Sequence, residues 1–121
     1  MNNKEADRVA WNNIMLFDPP DSDDPYIQFT KRVFTDMWSR PRLGKKERRI
    51  TTLTCIIASG NAAILPFHMK PALETGDLTP DELMEWVIHV AHYAGWPASA
   101  QAFTTLRTLT AELGLEFSDH E

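Results

Sequence analysis

Cysteine is almost absent from this chain of 121 residues. The single one, Cys55, cannot form an intramolecular disulfide, and no Cys-x-x-Cys redox pair is present. Because Cys55 lies in the middle of a predicted helix beside Ile56 and Ile57, we expect its side chain to be small, apolar and buried. These observations argue against a disulfide-stabilised fold and against a dithiol enzyme.

The chain also lacks an excess of basic residues and a long apolar run. It has 12 lysines and arginines against 17 acidic residues, a formal net charge of −5, whereas binding to nucleic-acid phosphates requires a basic face. Its first residues, MNNKEADRVAWNNIMLF, contain no apolar segment of the length of a signal peptide or a membrane span. We therefore expect a soluble, cytoplasmic protein that binds neither nucleic acid nor a membrane.

Two further kinds of motif are missing. There is no glycine-rich phosphate loop, and no histidine spacing matches an established zinc signature such as HExxH. Glu85, His89, His92 and His68 are residue types that can ligate a metal, but an acid–base site fits them better than a metal site. We expect no bound metal and no flavin, nicotinamide or thiamine cofactor.

The sequence does contain a succession of helical patterns, and no strand-like alternation of apolar and polar residues is sustained. An acidic, proline-rich connector, DPPDSDDP, separates a short N-terminal arm from the body. We predict an all-α protein, a compact single-domain bundle of five to seven helices over residues 25–115. The arm and connector occupy residues 1–24, and a short polar tail occupies residues 116–121.

Capping patterns and helix breakers divide the body into five predicted helices. The clearest start is Thr79-Pro80-Asp81-Glu82, which has the form of a capping box with proline at the first helical position. Pro66 and Pro71 argue against a straight, uninterrupted helix over residues 62–74. The predicted helices cover residues 25–39, 45–59, 62–74, 80–94 and 97–113.

The fourth predicted helix carries a narrow polar arc. At about 100° per residue, Glu85, His89, His92 and Trp96 fall on one side of it. The rest of the helix is apolar nearly all the way round, which predicts a largely buried helix whose arc faces a cleft, a subunit boundary or a strip of solvent. A Glu and a His four residues apart also form an ordinary surface pair, so a merely solvated seam stays open as the alternative.

Several separate motifs, spread over about residues 29–113, resemble those of the carboxymuconolactone decarboxylase family, whose small helical fold is also found in alkylhydroperoxidase D. In chain order they are Trp38-x-Arg40-Pro41-x-Leu43, Arg48, His68, the helix start TPDEL at residue 79, and Tyr93-x-Gly95-x-Pro97-Ala98. The resemblance implies a homo-oligomer, a trimer or a hexamer, which the small size of the chain also favours and which the particle mass in solution would test.

The resemblance also separates two chemistries. The hydroperoxidase branch uses a Cys-x-x-Cys pair, and here Asn61 and Ile64 stand at the corresponding positions. The resemblance therefore implies the decarboxylase branch: a cofactor-free lyase that acts by general acid–base catalysis on a small carboxylated lactone or unsaturated oxygenated ring. Arginine suits the binding of a carboxylate because of its planar fork, and histidine suits proton delivery because its pKa lies near the working pH.

Candidate site residues follow from the polar arc and the resemblance together. His68, Glu85 and His89 are the predicted catalytic residues, although His89 stands where the decarboxylases tend to have a glutamine. The predicted substrate-binding residues are Arg48, His92, Trp38 and Trp96, of which the two tryptophans are also candidates for core or interface anchors. We expect His68, Glu85 and His89 to converge on one pocket with Arg48 at its anionic end, because a short loop predicts that their helices are antiparallel neighbours.

Other functions stay open at this point. His92 replaces the usual aliphatic residue and Ala94 replaces a cysteine, so the substrate need not be carboxymuconolactone itself. An isomerase, cyclase or hydrolase could use the same acid–base groups on a related intermediate. A non-catalytic helical protein that binds a ligand or forms an assembly is the alternative from another class.

Overall fold

The computed structural model describes residues 3–118, in which helices are the only regular secondary structure. There are seven α-helices and one short 3-10 helix in this range, and six of the α-helices lie within residues 25–115, so the predicted all-α class and the predicted five to seven helices are confirmed. The described part of the chain divides into two compact units, one that ends at Gly44 and one that begins at Lys45. Within residues 3–118, no helix combines the length and the apolar character needed to cross a membrane. The predicted domain limits at residues 25 and 115 stay a prediction.

The first unit contains three helices: α1 (Asn3–Met15), α2 (Pro25–Lys31) and α3 (Val33–Asp36). Helix α1 was not predicted, and it lies within the segment assigned to an N-terminal arm. The predicted single helix over residues 25–39 is wrong, since it is interrupted at Arg32. Its predicted start is confirmed, because the side chain of Asp24 accepts a hydrogen bond from the backbone N–H of Tyr26 at 2.9 Å.

A small aromatic cluster forms the core of this first unit. The rings of Trp11 and Phe34 meet edge to face with their centres 5.4 Å apart, and the rings of Phe34 and Trp38 are 5.6 Å apart. Ile14 and Met15 are buried with them. The end of α1 therefore supplies apolar side chains that α3 and Trp38 need for a core.

The second unit contains α4 (Lys45–Ala58), a 3-10 helix (Ala62–Ile64), α5 (Leu65–Thr75), α6 (Pro80–Tyr93) and α7 (Trp96–Leu113). Its core consists of fully buried aliphatic side chains from all four α-helices, which include Leu53, Ile57, Leu65, Met69, Leu83 and Leu106. The most extensive packing of α6 is against α7, whereas α5 packs against α4 and α7. The prediction that the helices of His68 and Glu85 form an antiparallel pair is therefore wrong. The loop between these two helices is short, but the apolar face of α6 packs against α7.

Local capping follows the sequence closely in this unit. The hydroxyl of Thr79 accepts from the backbone N–H of Glu82 at 3.1 Å, and a carboxylate oxygen of Glu82 accepts from the backbone N–H of Thr79 at 3.0 Å. The predicted capping box is thus confirmed. The turn between α6 and α7 passes through Gly95, whose φ of 101° lies in a region that L side chains rarely adopt. The segment with Pro66 and Pro71 is divided at Leu65, but α5 continues through the buried Pro71.

Two expectations about burial are wrong. Cys55 is exposed, because the buried positions of α4 follow Leu53 and Ile57, and Cys55 is two residues, about 200°, from each of them. Helix α6 was predicted to be largely buried. One side of it packs into the core, but Ile88 is 50% exposed and Tyr93 is 85% exposed. Apolar residues on every side of a helix therefore do not show that the rest of the same chain covers every side.

Candidate functional site

An open groove lies between α4 and α6 in the second unit. Side chains at every fourth position of the two helices line it, which places them on one face of each helix. They are Lys46, Ile50 and Thr54 from α4, and Glu85, His89 and Tyr93 from α6. The polar arc of α6 therefore faces a concave surface along part of its length.

Two polar contacts join the helices across this groove. The indole N–H of Trp86 donates to the hydroxyl of Thr54 at 2.9 Å, and the ammonium group of Lys46 donates to the carboxylate of Glu82. The hydrogen bond from Lys46 holds the pKa of Glu82 below its usual value, and Glu82 raises the pKa of Lys46. Both groups are therefore charged at neutral pH, and Lys46 already has a carboxylate partner.

Glu85 and His89 are the two residues of the predicted catalytic set that the groove brings together. They are one helical turn apart on α6, where side chains at i and i+4 have Cβ atoms about 5–6 Å apart. The imidazole of His89 stacks on the ring of Tyr93, with ring centres 5.1 Å apart and planes inclined by 18°. A carboxylate and an oriented imidazole side by side in a groove can accept and deliver a proton to one bound molecule.

His68 and Arg48 are not among the residues that line this groove. His68 lies on α5, where its side chain is half-buried and its Nδ1 atom has no hydrogen-bond partner among the described residues. Burial, and then the positive charge of Arg49, lower the pKa of His68 below 6.5. The expected convergence of His68 with Glu85 and His89 is not found within this groove, because α5 packs against α4 and α7.

Arg49 is the buried arginine of the pair Arg48–Arg49, and it was not among the predicted site residues. Its side chain is 1% exposed, and its Nε atom donates to a carboxylate oxygen of Asp77 at 3.2 Å. A signal for it was present, since Arg49, Leu53 and Ile57 recur every fourth residue and so share the buried face of α4. The KKERR segment is exposed only in part, so a basic run at a helix start does not by itself indicate a solvated face.

The remaining predicted residues are not among those that line the groove. His92 is exposed, with Nδ1 2.9 Å from the carbonyl oxygen of Ile88 and its ring centre 6.3 Å from that of Trp96. Trp96 borders an apolar hollow between α6 and α7, and Trp38 is buried in the first unit. Their substrate-binding roles and the homo-oligomer stay predictions. Among residues 3–118, no three histidine, cysteine or acidic side chains are grouped so that they could hold a metal ion.

The environment of His68 leads to a prediction about its titration. In ¹H–¹⁵N spectra of the imidazole rings, His68 is expected to titrate below 6.5, and Arg49→Met is expected to raise its pKa by removing a nearby positive charge. Since the folded-state pKa is lowered, the neutral ring favours folding above pH 6.5. This contribution to stability is lost as the pH falls from that value through the folded-state pKa.

Lys70→Met serves as the control for this titration, because Lys70 is an exposed cation on the same helix as His68. It should move the pKa of His68 less than Arg49→Met does. An equal effect of the two variants would contradict the local influence of Arg49.

Comparisons with known proteins agree with the motifs of the sequence. The family model for the carboxymuconolactone decarboxylase family matches residues 24–108. The chain is 31% identical to 4-carboxymuconolactone decarboxylase of Acinetobacter baylyi over 96 aligned residues. The alignment covers 78% of this chain and 71% of that protein. The chain is also 34% identical to a nitrosuccinic acid decarboxylase of Metarhizium robertsii over 73 aligned residues. This alignment covers 60% of this chain and 50% of that protein.

No solved structure matches the chain significantly. The family match extends over most of the chain, from the start of α2 to near the end of α7. The relative from Acinetobacter baylyi exceeds 30% identity over a similar share of both proteins. The chain therefore belongs to the carboxymuconolactone decarboxylase family.

Proposed function

We propose that this protein is a decarboxylase of a small dicarboxylic acid in which one carboxyl group lies next to an electron-withdrawing group. The family and both relatives support a decarboxylase. The compounds in the two relatives' names, 4-carboxymuconolactone and nitrosuccinic acid, each have two carboxyl groups. In each, an unsaturated lactone or a nitro group can accept the electron pair that the departing carboxylate leaves behind.

The chemistry of such a reaction is simple to balance. The bond between the carboxylate carbon and its neighbour breaks, CO₂ leaves, and the electron pair is delocalised into the lactone or nitro group. A proton then adds to the substrate, so that a carboxylate is exchanged for hydrogen without net oxidation or reduction. Because the substrate itself accepts the electron pair, we also propose that the reaction needs no cofactor.

The observation that carries the proposal is the placement of Glu85 and His89 in one groove. His89 is the proposed proton donor, since its ring lies in the groove and histidine is the side chain that most often serves as a general acid or base. Glu85, one turn earlier, would orient the imidazole or return its proton, and Tyr93 would hold the ring through their stacked contact. His68 and Arg48 keep their predicted roles as proposals that this groove does not support.

A direct assay tests the proposed reaction. The purified protein is incubated in D₂O with 4-carboxymuconolactone and, separately, with nitrosuccinic acid, and CO₂ release is measured together with the NMR spectrum of the product. We expect one equivalent of CO₂ and one deuterium bound to carbon from at least one of the two compounds. The variant Glu85→Gln/His89→Ala is the matched control for release without the enzyme.

The other outcomes of this assay identify the alternatives. Conversion of either compound without CO₂ would contradict a decarboxylase and would favour an isomerase, cyclase or hydrolase. If neither compound reacts and a panel of β-keto acids is also unchanged, the proposed reaction is wrong and a non-catalytic role gains support.

A further inference from the structure

Arg107, on α7, lines the same groove as Glu85 and His89. Its guanidinium carbon lies 4.5 Å from the ring centre of Phe117 and 5.3 Å from the ring centre of Phe103. Both distances are within the reach of a cation–π interaction, which holds a cation over a ring without using its N–H groups as hydrogen-bond donors. Two aromatic side chains therefore restrain this guanidinium and leave its donors available.

The segment after α7 positions one of these rings. The backbone N–H of Leu115 donates to the carbonyl oxygen of Thr110 at 2.9 Å, and the backbone N–H of Ser118 donates to the carboxylate of Asp81 at 3.1 Å. Residues 115–118 are thus attached both to the end of α7 and to the first turn of α6. Phe117 lies between these two attachment points, which explains why its ring stays against Arg107.

The charges of the groove distinguish Arg107 from the other cation that lines it. The ammonium group of Lys46 is paired with Glu82, whereas no described residue accepts a hydrogen bond from the side chain of Arg107 or forms an ion pair with it. Asp81 and Glu85 also line the groove and would repel a carboxylate that had no oriented cation beside it. A guanidinium can offer a carboxylate two parallel N–H hydrogen bonds, which an ammonium group cannot.

We propose that Arg107 binds the carboxylate that a dicarboxylic substrate retains after decarboxylation, and that Phe103 and Phe117 hold the guanidinium in position for it. This inference rests on the proposed function, since it takes the substrate to be a dicarboxylic acid. The two ends of that substrate are thereby assigned to different side chains of the groove. Glu85 and His89 act at the carbon that loses CO₂, and Arg107 binds the carboxylate that remains. This assignment also predicts a preference for dicarboxylic over monocarboxylic acids.

The first test measures binding and needs no turnover. Succinate, a simple dicarboxylate, is titrated into the protein while the side-chain Nε–H signal of Arg107 and the ring signals of His89 and Tyr93 are followed by NMR. Saturable shifts are expected in the unmodified protein and in Lys70→Met, which removes an exposed cation from α5. In Arg107→Met the affinity should fall roughly 10- to 100-fold, the loss expected for charge-assisted hydrogen bonds. Equal affinity of Arg107→Met and the unmodified protein would overturn the proposal.

The second test uses whichever compound releases CO₂ in the decarboxylase assay. Arg107→Met should raise KM by roughly 10- to 100-fold and lower kcat by a smaller factor, with Arg107→Lys in between because it keeps the charge and loses the fork. Phe117→Leu should raise KM by about 2- to 5-fold, since it removes one cation–π contact. A loss in kcat alone, with KM unchanged in Arg107→Met, would contradict a role in anion binding.

The two proposals fail separately. If succinate binding depends on Arg107 but no compound releases CO₂, the carboxylate site stands and the proposed reaction is wrong. If CO₂ is released but Arg107→Met changes neither succinate binding nor KM, the reaction stands and the assignment of Arg107 is wrong.

Discussion

Replacing His89 with alanine is expected to lower kcat for decarboxylation by about 10²- to 10⁴-fold, the range that a positioned acid–base group contributes. His89 lies in the groove with Glu85 one turn before it and with Tyr93 stacked on its ring. Without the imidazole, a proton would have to reach the carbanion from water. Steady-state kinetics and the deuterium content of the product measure the effect. A far-UV circular dichroism spectrum establishes that the helices remain.

His92→Ala is the matched control, because His92 is on the same helix three residues later and does not line the groove. It should change kcat by much less than His89→Ala. Adding Glu85→Gln to His89→Ala should cost little more than His89→Ala alone, since residues that act as a unit are not additive. If His68→Ala abolishes turnover while His89→Ala retains it, the proton donor is on α5 and the assignment to the groove is wrong.

Replacing Asp77 with asparagine is expected to lower the free energy of unfolding by about 2 kcal/mol, less than for a fully buried ion pair because the side chain of Asp77 is 21% exposed. The guanidinium of Arg49 is almost fully buried, and the carboxylate of Asp77 is 3.2 Å from its Nε atom. The replacement keeps the size of the side chain but removes the charge that offsets Arg49. Urea unfolding followed by circular dichroism measures the change. A loss of this size is a large part of the roughly 5–15 kcal/mol that stabilises a typical domain.

Asp36→Asn is the control for burial. Asp36 pairs with Arg32 at 3.3 Å, nearly the same distance, but both side chains are exposed. Exposed pairs contribute about 0–1 kcal/mol, so this variant should change stability little. The double variant Arg49→Met/Asp77→Asn should recover most of the loss, because no charge is then left buried. Equal losses for Asp77→Asn and Asp36→Asn would show that burial does not determine the strength of the Arg49–Asp77 pair.

Helix boundaries in the second unit could be predicted from the sequence because their causes are local. The capping box at Thr79 and Glu82 is formed by two residues three positions apart, and the turn at Gly95 requires a positive φ that glycine adopts without strain. The side-by-side placement of Glu85 and His89 is equally local, because residues four apart on a helix share a face. The resemblance to the family also depends on residue order alone, and the family match confirms the family.

Features that depend on which helices pack together could not be predicted in this way. His68 and Glu85 are on consecutive helices, yet α6 packs mainly against α7, so loop length alone predicts the wrong pair. The end of helix α1 becomes part of a core only when Phe34 and Trp38 pack against it. Similarly, the ion pair of the buried Arg49 depends on Asp77, which is 28 residues away along the chain.

The sequence by itself determined the helical class, most helix boundaries in residues 45–118, the family, and the pairing of Glu85 with His89 on one face of α6. Only the tertiary structure decided that this face borders a groove with α4, that His68 is half-buried outside it, and that Phe117 places Arg107 within it. The physical reason is the range of the interactions. Caps and helical faces depend on residues within one or two turns, whereas burial, buried ion pairs and groove walls arise when elements distant in the chain compete for the same apolar surface.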